Sequence, residues 1–222
     1  PTQNFGATVN GAFNSIESTS GGSTAGVATA ITGVANRVAN SNGVLVYGAG
    51  NEITNSSASF STPGEGATSA KDFADKLKTA VTSSNGAGAT MAFGGGNKAD
   101  YTLRTSMIGV NNTVTGVRSN QSKDNLAIGV GNTGTKVQHM TVIGSKNTVS
   151  DANNTLVLGD NRTVTSANNT VILGSSDNGT TTTVNDAVAV GHNTEVSVVG
   201  GTAIGSGSKA TVAAGAVGYD VL

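Results

Sequence analysis

Short apolar runs that end in glycine recur along the chain about every fifteen residues. ANNTLVLG at 152–159 and ANNTVILG at 167–174 show the repeat most clearly, and Gly33 and Gly11 continue it in weaker form toward the N terminus. A fixed period of this kind predicts a stack of similar structural units. The glycines that end the runs, called the turn glycines below, are Gly48, Gly94, Gly109, Gly129, Gly144, Gly159, Gly174, Gly191, Gly205 and Gly218.

A single apolar residue between polar neighbours follows most turn glycines, as in TVT at 113–115. Two coils are expected to insert residues first, so that Val137 takes this place after Gly129 and Val184 takes it after Gly174. The other members are Ile16, Val38, Ile53, Ala99, Val114, Val149, Val164, Val196 and Ala210. Each repeat then holds two short strands and is too short for a helical crossover. The pattern predicts an all-β fold, a parallel β-solenoid with about fifteen residues per coil.

The two strands of a repeat differ in their apolar pattern. The second strand alternates and is expected to be half buried. The first strand is apolar at both positions before the turn glycine, which is typical of a strand covered on both faces. One coil interior covers only one face, so we expect a second copy of the chain to cover the other. The alternative is an ordinary surface with scattered apolar residues. The residues two before each turn glycine are predicted to form this interface between chains: Val46, Ala92, Met107, Ala127, Val142, Val157, Ile172, Ala189, Ala203 and Ala216.

The long interval between Gly48 and Gly94 contains a different pattern. Ser69 followed by Asp72 resembles a helix N-cap. Phe73, Leu77, Ala80 and Val81 then fall on one helical face, which predicts one short amphipathic helix from Ser69 to Ser83.

This insertion divides the chain into three predicted parts. Residues 1–53 form N-terminal coils with degenerate repeats, 54–88 form the insertion with its helix, and 89–222 form the regular repeats. Lys71, Lys76 and Lys78 lie off the apolar helical face, and we expect them to be candidate ligand contacts.

Composition narrows the possible functions. A net charge of −1 argues against a nucleic-acid binder, and the absence of cysteine excludes disulfides and thiolate metal sites. His139 and His192 have no partner at a spacing typical of a metal site. No membrane-spanning segment or secretory signal is visible, so we expect a mature start or a fragment of a larger protein. The sequence predicts neither an enzyme nor a cofactor.

Three repeats, LAIGVGN at 126–132, VAVGHNTEV at 188–196 and TAIGSGSKA at 202–210, resemble the head repeats of YadA-like trimeric autotransporter adhesins. Gly205 and Ser208 match the family pattern closely, whereas most other coils use asparagine and valine. The resemblance implies a left-handed parallel β-roll of three identical chains. It also implies display on the outer membrane, with a stalk and anchor outside this sequence. The expected partners are a second and third copy, and a host matrix protein, host-cell receptor or bacterial-cell receptor.

Threonine pairs on the second strands leave another interpretation open. Flat Thr-x-Thr arrays on a solenoid can order water, as in ice-binding proteins. The array fails at Glu195/Ser197 and Lys209/Thr211, and it is present at Thr113/Thr115, Thr148/Ser150 and Thr163/Thr165. Adhesion is the predicted function, and ice binding or a generic structural solenoid is the alternative.

Overall fold

The computed structural model describes residues 3–19, 24–59, 67–86 and 88–213 of the chain. These residues form short parallel strands and one helix, in two compact units, residues 1–124 and 125–222. The predicted all-β parallel solenoid with one short helix is thereby confirmed. Ala216 and the coil of Gly218 lie outside the described residues, as do residues 60–66 of the predicted insertion.

The first unit contains ten short strands that form two parallel sheets. The strands are β1 (Thr8–Ala12), β2 (Ser15–Glu17), β3 (Ala30–Val34), β4 (Arg37–Ala39), β5 (Leu45–Ala49), β6 (Glu52–Thr54), β7 (Met91–Gly95), β8 (Lys98–Asp100), β9 (Thr102–Val110) and β10 (Thr113–Thr115). The strands before and through the turn glycines follow the order β1-β3-β5-β7-β9, and the strands after them follow β2-β4-β6-β8-β10. Each odd-numbered strand and the next even-numbered one therefore make one coil.

The second unit repeats this arrangement. Its strands are β11 (Ser122–Val130), which begins before the unit boundary, β12 (Thr133–Thr135), β13 (Gln138–Ser145), β14 (Thr148–Ser150), β15 (Asn153–Leu158), β16 (Arg162–Thr165), β17 (Thr170–Leu173), β18 (Thr180–Thr182), β19 (Val188–Val190), β20 (Glu195–Val196), β21 (Thr202–Ile204) and β22 (Lys209–Ala210). The first sheet has the order β11-β13-β15-β17-β19-β21, the second β12-β14-β16-β18, and β20 pairs with β22.

The turn glycines are required by backbone geometry. Gly48 and Gly144 have φ of 136° and 143°, a region that L side chains rarely adopt. A Cβ at either position would overlap the carbonyl oxygen of the turn glycine in the next coil. Turn glycines of neighbouring strands also lie opposite one another, for example Gly48 and Gly94. Their stacking therefore fixes the register of the first sheet.

The interior of each coil holds the residue two before the turn glycine and the apolar residue of the second strand. In the first unit Val46, Ala92 and Met107 are fully buried, as are Ile53 and Ala99. Side chains of different size, from alanine to methionine, follow one another along the stack and fill the narrow space between the two sheets.

Two second strands differ from the sequence prediction. Gly134, not Val137, pairs with Val149, and the coil has no insertion before this position. The space beside Gly134 is filled by the side chains of Met140 and Val137. After Gly174 there is an insertion, but Thr182, and not Val184, pairs with Val164 and is buried. Burial of a glycine or threonine there gave no apolar signal in the sequence.

A ladder of asparagines runs through the first unit, three residues after Gly11, Gly33 and the turn glycines that follow them, and all but the half-buried Asn14 are buried. The side-chain oxygen of Asn36 accepts from the backbone N–H and from Nδ2 of Asn51, both at 3.0 Å. Nδ2 of Asn51 also donates to the carbonyl of Gly94 at 2.9 Å. This asparagine ladder consists of Asn14, Asn36, Asn51, Asn97 and Asn112. It satisfies the carbonyls that the turn glycines direct inward.

The asparagine ladder of the second unit is shorter and ends at an arginine. Asn147 accepts from the backbone N–H of Arg162 at 3.0 Å, and the Arg162 side chain is buried. Its guanidinium donates to the carbonyls of Gly174 (2.8 Å), Gly191 (3.0 Å) and Thr194 (2.7 Å). Burial lowers the pKa of Arg162, but an arginine stays charged at neutral pH. The coil of Gly174 contains an insertion, which displaces the next position of the ladder. The Arg162 side chain reaches past this coil.

The predicted helix is present as α1 (Ala70–Ser83). The hydroxyl of Ser69 accepts from the backbone N–H of Asp72 at 3.1 Å, which confirms the N-cap. The Phe73 ring packs edge-on against Phe5, with centroids 5.0 Å apart. Strands on both sides of the insertion remain paired, since β5 pairs with β7 and β6 pairs with β8. The insertion therefore leaves the coil register of the first unit unchanged.

Candidate interaction surfaces

The residues predicted to join chains lie inside the coil instead. Val46, Ala92, Met107, Ala127, Val142, Val157, Ile172, Ala189 and Ala203 are at most 3% exposed within one chain. Their side chains cannot offer a surface to another copy, so the assignment of faces was wrong. The physical reason is that the first strand is apolar on both faces, so its pattern did not decide which face fills the narrow space between the two sheets.

The opposite side of the first sheet is the exposed one. It carries the apolar residues one and three before the turn glycines, called the apolar face below. In the first unit these are Leu45, Tyr47, Met91, Phe93 and Ile108. Tyr47 is 53% exposed and Phe93 46%, and their rings stack at 4.9 Å. Large side chains thus stand next to one another on solvent-exposed strands.

The second unit has an apolar face of the same kind. Its members are Leu126, Ile128, Ile143, Leu156, Leu158, Val171, Leu173, Val188, Val190 and Ile204. Ile143, Leu158 and Ile204 are exposed, and the others are half-buried. Neighbouring coils place them in register, for example Ile143, Leu158 and Leu173. Contiguous exposed apolar patches of this length are typical of interaction surfaces.

The outer side of the second sheet is charged in the first unit. Arg37 donates to Glu17 at 2.9 Å and to Glu52 at 2.8 Å, and Lys98 lies 3.2 Å from Glu52. The hydrogen bond from Arg37 holds the pKa of Glu17 below its ordinary value of 4.5. Burial alone would raise the pKa of Glu52, but hydrogen bonds from Arg37 and Lys98 outweigh it and lower the pKa. Each charge on this row has a partner of opposite sign.

In the second unit the same side of the second sheet carries threonines. Thr133 pairs with Thr148, Thr148 with Thr163, and Thr163 with Thr181, so one column of threonines crosses four strands. The array includes the coil of Gly129, because Gly134 completes its strand without the insertion that the sequence predicted. This part of the second unit therefore has an uncharged polar surface, whereas β20 and β22 carry Glu195 and Lys209, which form an ion pair at 2.8 Å.

The predicted ligand contacts on α1 are solvent-exposed. Lys71 pairs with Asp75 at 2.6 Å, and Lys76 pairs with Asp72 at 3.0 Å. Lys78 is exposed beside Asp75. The apolar face of the helix is only half-buried, and its Phe73 and Leu77 lie against Phe5 and Gly6, just before β1. The three lysines do not surround a common cavity that would identify a ligand.

The two histidines lie in different coils. His192 Nε2 lies 3.0 Å from Asp177, and Asn193 donates to the same carboxylate, which together lower the pKa of Asp177. His139 is exposed on β13, whereas His192 lies in the turn after β19. Among the described residues no group of three or more imidazole or carboxylate side chains is placed to hold a metal ion. Within the same residues, no helix has the length and apolar content that crossing a membrane requires.

The sequence matches no protein-family model and no curated protein. The chemistry of the surfaces and the resemblance of the repeats to YadA-like heads are therefore the two grounds for a function.

Proposed function

We propose that the chain is the head of a bacterial surface adhesin of the trimeric autotransporter type, which binds other surfaces without catalysis. The apolar face of the first sheet carries this proposal. It is the feature of the described chain that most needs a partner, because large apolar side chains stand exposed on neighbouring strands in both units. The place at the cell surface and the outer-membrane anchor follow from the resemblance alone.

A further copy of the chain is the partner that fits the apolar face. The coil interior is already filled by its own residues. The helix α1 has 14 residues and packs on Phe5, so it is too short to cover the face along the coils of either unit. Strands repeat about every 4.8 Å in a parallel sheet, and an equal spacing in another copy would match it coil by coil. The number three and the left-handed turn come from the resemblance.

The assembly is tested by the mass of the protein in solution. Light scattering is expected to give the mass of a trimer for the unaltered chain. The double substitution Ile143→Glu and Leu173→Glu places charge on the apolar face and is expected to release folded monomers. The matched control, Thr148→Glu and Thr181→Glu, places the same charge on the second sheet with the same coil spacing. A monomeric unaltered chain, or equal dissociation of both variants, would overturn the trimer.

Attachment is tested separately from assembly. The folded protein is expected to bind immobilised matrix proteins, host cells or bacterial cells, and the dissociated Ile143/Leu173 variant to bind less because multivalency is lost. Absence of attachment to all three surfaces by an intact trimer would contradict the adhesin function.

Ice binding is the second candidate function, and the threonine column favours it. The flat array over Thr133, Thr148, Thr163 and Thr181 is longer than the sequence indicated. The test is thermal hysteresis of the unaltered protein and of Thr148→Lys. Hysteresis that the lysine removes would support this candidate, and its absence from the unaltered protein would exclude it.

A further inference from the structure

A polar pocket of about 280 Å³ lies at a corner of the first unit. It is lined by Asn40, Asn55, Ser57, Tyr101, Arg118 and Gln121. This volume is at the small end of ligand pockets and suits a ligand the size of a single sugar. The pocket is made by corner and hairpin residues and includes none of the residues of the apolar face.

Two local structures build the pocket. Asn40, Asn55 and Tyr101 stand at equivalent corners of three coils, and all have left-handed backbones with φ of 51°, 51° and 50°. A left-handed conformation is ordinary for asparagine but unfavourable for a bulky residue such as tyrosine. At the next corner Val117 and Asn120 exchange two backbone hydrogen bonds, of 3.0 and 2.9 Å, and form a hairpin. Arg118 lies at the tip of this hairpin.

The wall of the pocket is held by hydrogen bonds within the protein. Nδ2 of Asn40 donates to Thr19 at 2.8 Å, and Nδ2 of Asn55 donates to the carboxylate of Asp100 at 2.8 Å. The same carboxylate accepts from the Thr54 hydroxyl at 2.7 Å. These amides are therefore fixed in position, and the nearby Asp100 carboxylate is engaged by neutral donors.

Three other side chains of the lining are not engaged. Three of the four arginines bind oxygen atoms of the protein: Arg37 its two glutamates, Arg104 the carboxylate of Asp124, and Arg162 its carbonyls. For the guanidinium of Arg118, the hydroxyl of Tyr101 and the amide of Gln121, no side-chain partner is found among the described residues. A cation, an aromatic hydroxyl and an amide thus share one concave site with their hydrogen-bonding capacity unused.

We propose that this pocket binds a sugar that carries a carboxylate. The planar guanidinium of Arg118 matches a carboxylate with two parallel hydrogen bonds, which lysine cannot supply. The ring of Tyr101 offers an apolar surface to the C–H side of a sugar, and its hydroxyl remains available as donor and acceptor. Gln121 can donate to and accept from sugar hydroxyls. An acidic sugar would be the ligand class of the proposed adhesin. Only the location of that sugar, on another surface, rests on the proposed function.

The test is titration of the assembled protein with glucuronate, followed by NMR, up to about 10 mM. N-acetylneuraminate is titrated in parallel, which separates uronate polysaccharides from sialylated glycoproteins as the source. The methyl ester of glucuronate keeps the sugar and removes the charge, so it is expected to bind about tenfold more weakly or less well still.

Arg118→Gln is expected to weaken binding of the acidic sugar about tenfold or more, and Tyr101→Phe to weaken it less. Lys146→Asn is the matched control, because it removes one positive charge at an exposed left-handed position of the second unit and should leave binding unchanged. Gln121→Ala provides a second pocket variant if Arg118→Gln alters the hairpin.

The proposal is overturned if neither acidic sugar binds, if the neutral ester binds equally well, or if Arg118→Gln binds like the unaltered protein. Attachment to cells reports on the adhesin function separately. Sugar binding without attachment would contradict the adhesin function and leave the pocket assignment standing, whereas attachment without sugar binding would do the reverse.

Discussion

The two units share the same coil but differ in one step of the side-chain ladder that satisfies its buried carbonyls. In the first unit each ladder asparagine binds the next one and a turn-glycine carbonyl, as Asn51 does with Asn36 and Gly94. In the second unit Asn147 does the same with Asn132 and Gly159, but Arg162 replaces the next asparagine and spans to Thr194. The coil therefore requires a donor at this position, and it accepts whichever side chain reaches the next available carbonyl.

The outer sides of the second sheets differ in a similar way. The first unit carries a row of alternating charges through Glu17, Arg37 and Glu52, and the second carries the column of threonines. The apolar face, in contrast, is retained in both units. The proposed assembly uses the apolar face, which both units share, and not the outer side of the second sheet, which differs between them.

The largest expected effect tests whether the coil is the same in both units. Gly48→Ala and Gly144→Ala each place a Cβ on the carbonyl oxygen of the next turn glycine, and both backbones have strongly positive φ. Each should cost about 4 kcal/mol or more of unfolding free energy, measured by chemical denaturation. Gly131→Ala is the control, because its added Cβ meets nothing within 4 Å. It should cost about 1–2 kcal/mol. Unequal losses at Gly48 and Gly144 would show that the two coils are not equivalent.

Arg162 is the next most sensitive position. Arg162→Met keeps most of the volume but leaves the carbonyls of Gly174, Gly191 and Thr194 without this donor. The expected loss is about 3 kcal/mol or more in the free energy of unfolding. Arg162→Asn restores one donor within reach of Gly174 and should lose less than Arg162→Met. If Arg162→Asn were as stable as the unaltered chain, the long reach of the arginine to Gly191 and Thr194 would not be what the second unit needs.

A single member of the asparagine ladder should matter less. Asn97→Ala removes donors to Gly109 (2.9 Å) and Asn51 (3.0 Å) and the acceptor for Asn112. We expect a loss of about 2 kcal/mol in the free energy of unfolding, since buried groups lose their partners. Asn10→Ala, at an exposed strand position of the same unit, should change it by about 0.5 kcal/mol or less. Similar losses for the two variants would show that the asparagine ladder does not contribute to the stability of the fold.

The sequence predicted those features that depend on one residue type in one place. The turn glycines were visible because no other residue fits their backbone, and the helix was visible through Ser69 and its apolar spacing. The sequence did not decide which face of the first strand points into the coil, because the strand is apolar on both faces. The repeated alanines, such as Ala127 and Ala189, fit close packing inside the coil as well as between chains.

The features that sequence reasoning missed depend on contacts between coils. The asparagine ladder had a signal, since Asn36, Asn51 and Asn97 each stand three residues after a turn glycine. Arg162 broke that pattern and gave no sign that it would be buried. The polar pocket forms because the hairpin at Val117 and Asn120 brings Arg118 to the corner at Tyr101. The hairpin is not part of the repeat, so the periodicity of the sequence could not predict it.

The smallest expected effect uses pH to separate the two second sheets. Hydrogen bonds from Arg37 lower the pKa of Glu17, and those from Arg37 and Lys98 lower that of Glu52, in each case below the ordinary 4.5. A carboxyl whose pKa is lower in the folded state binds more protons when unfolded, so its contribution to stability is full above 4.5. It is lost as the pH falls through the folded value. These groups are partly exposed, so the contribution should be at most about 1 kcal/mol.

Hydrogen exchange of the strand amides measures this contribution in each unit separately. Between pH 5 and pH 3 the protection of β4 and β6 is expected to fall more than that of β14 and β16, whose outer residues are threonine and serine. Arg37→Gln should remove most of this difference, because the glutamates then lose their main donor. Lys146→Asn removes a positive charge outside the row and should leave the difference in place. An equal fall of protection in both units of the unaltered chain would show that the charged row adds no more stability than the threonines do. The two outer surfaces would then differ in chemistry but not in stability.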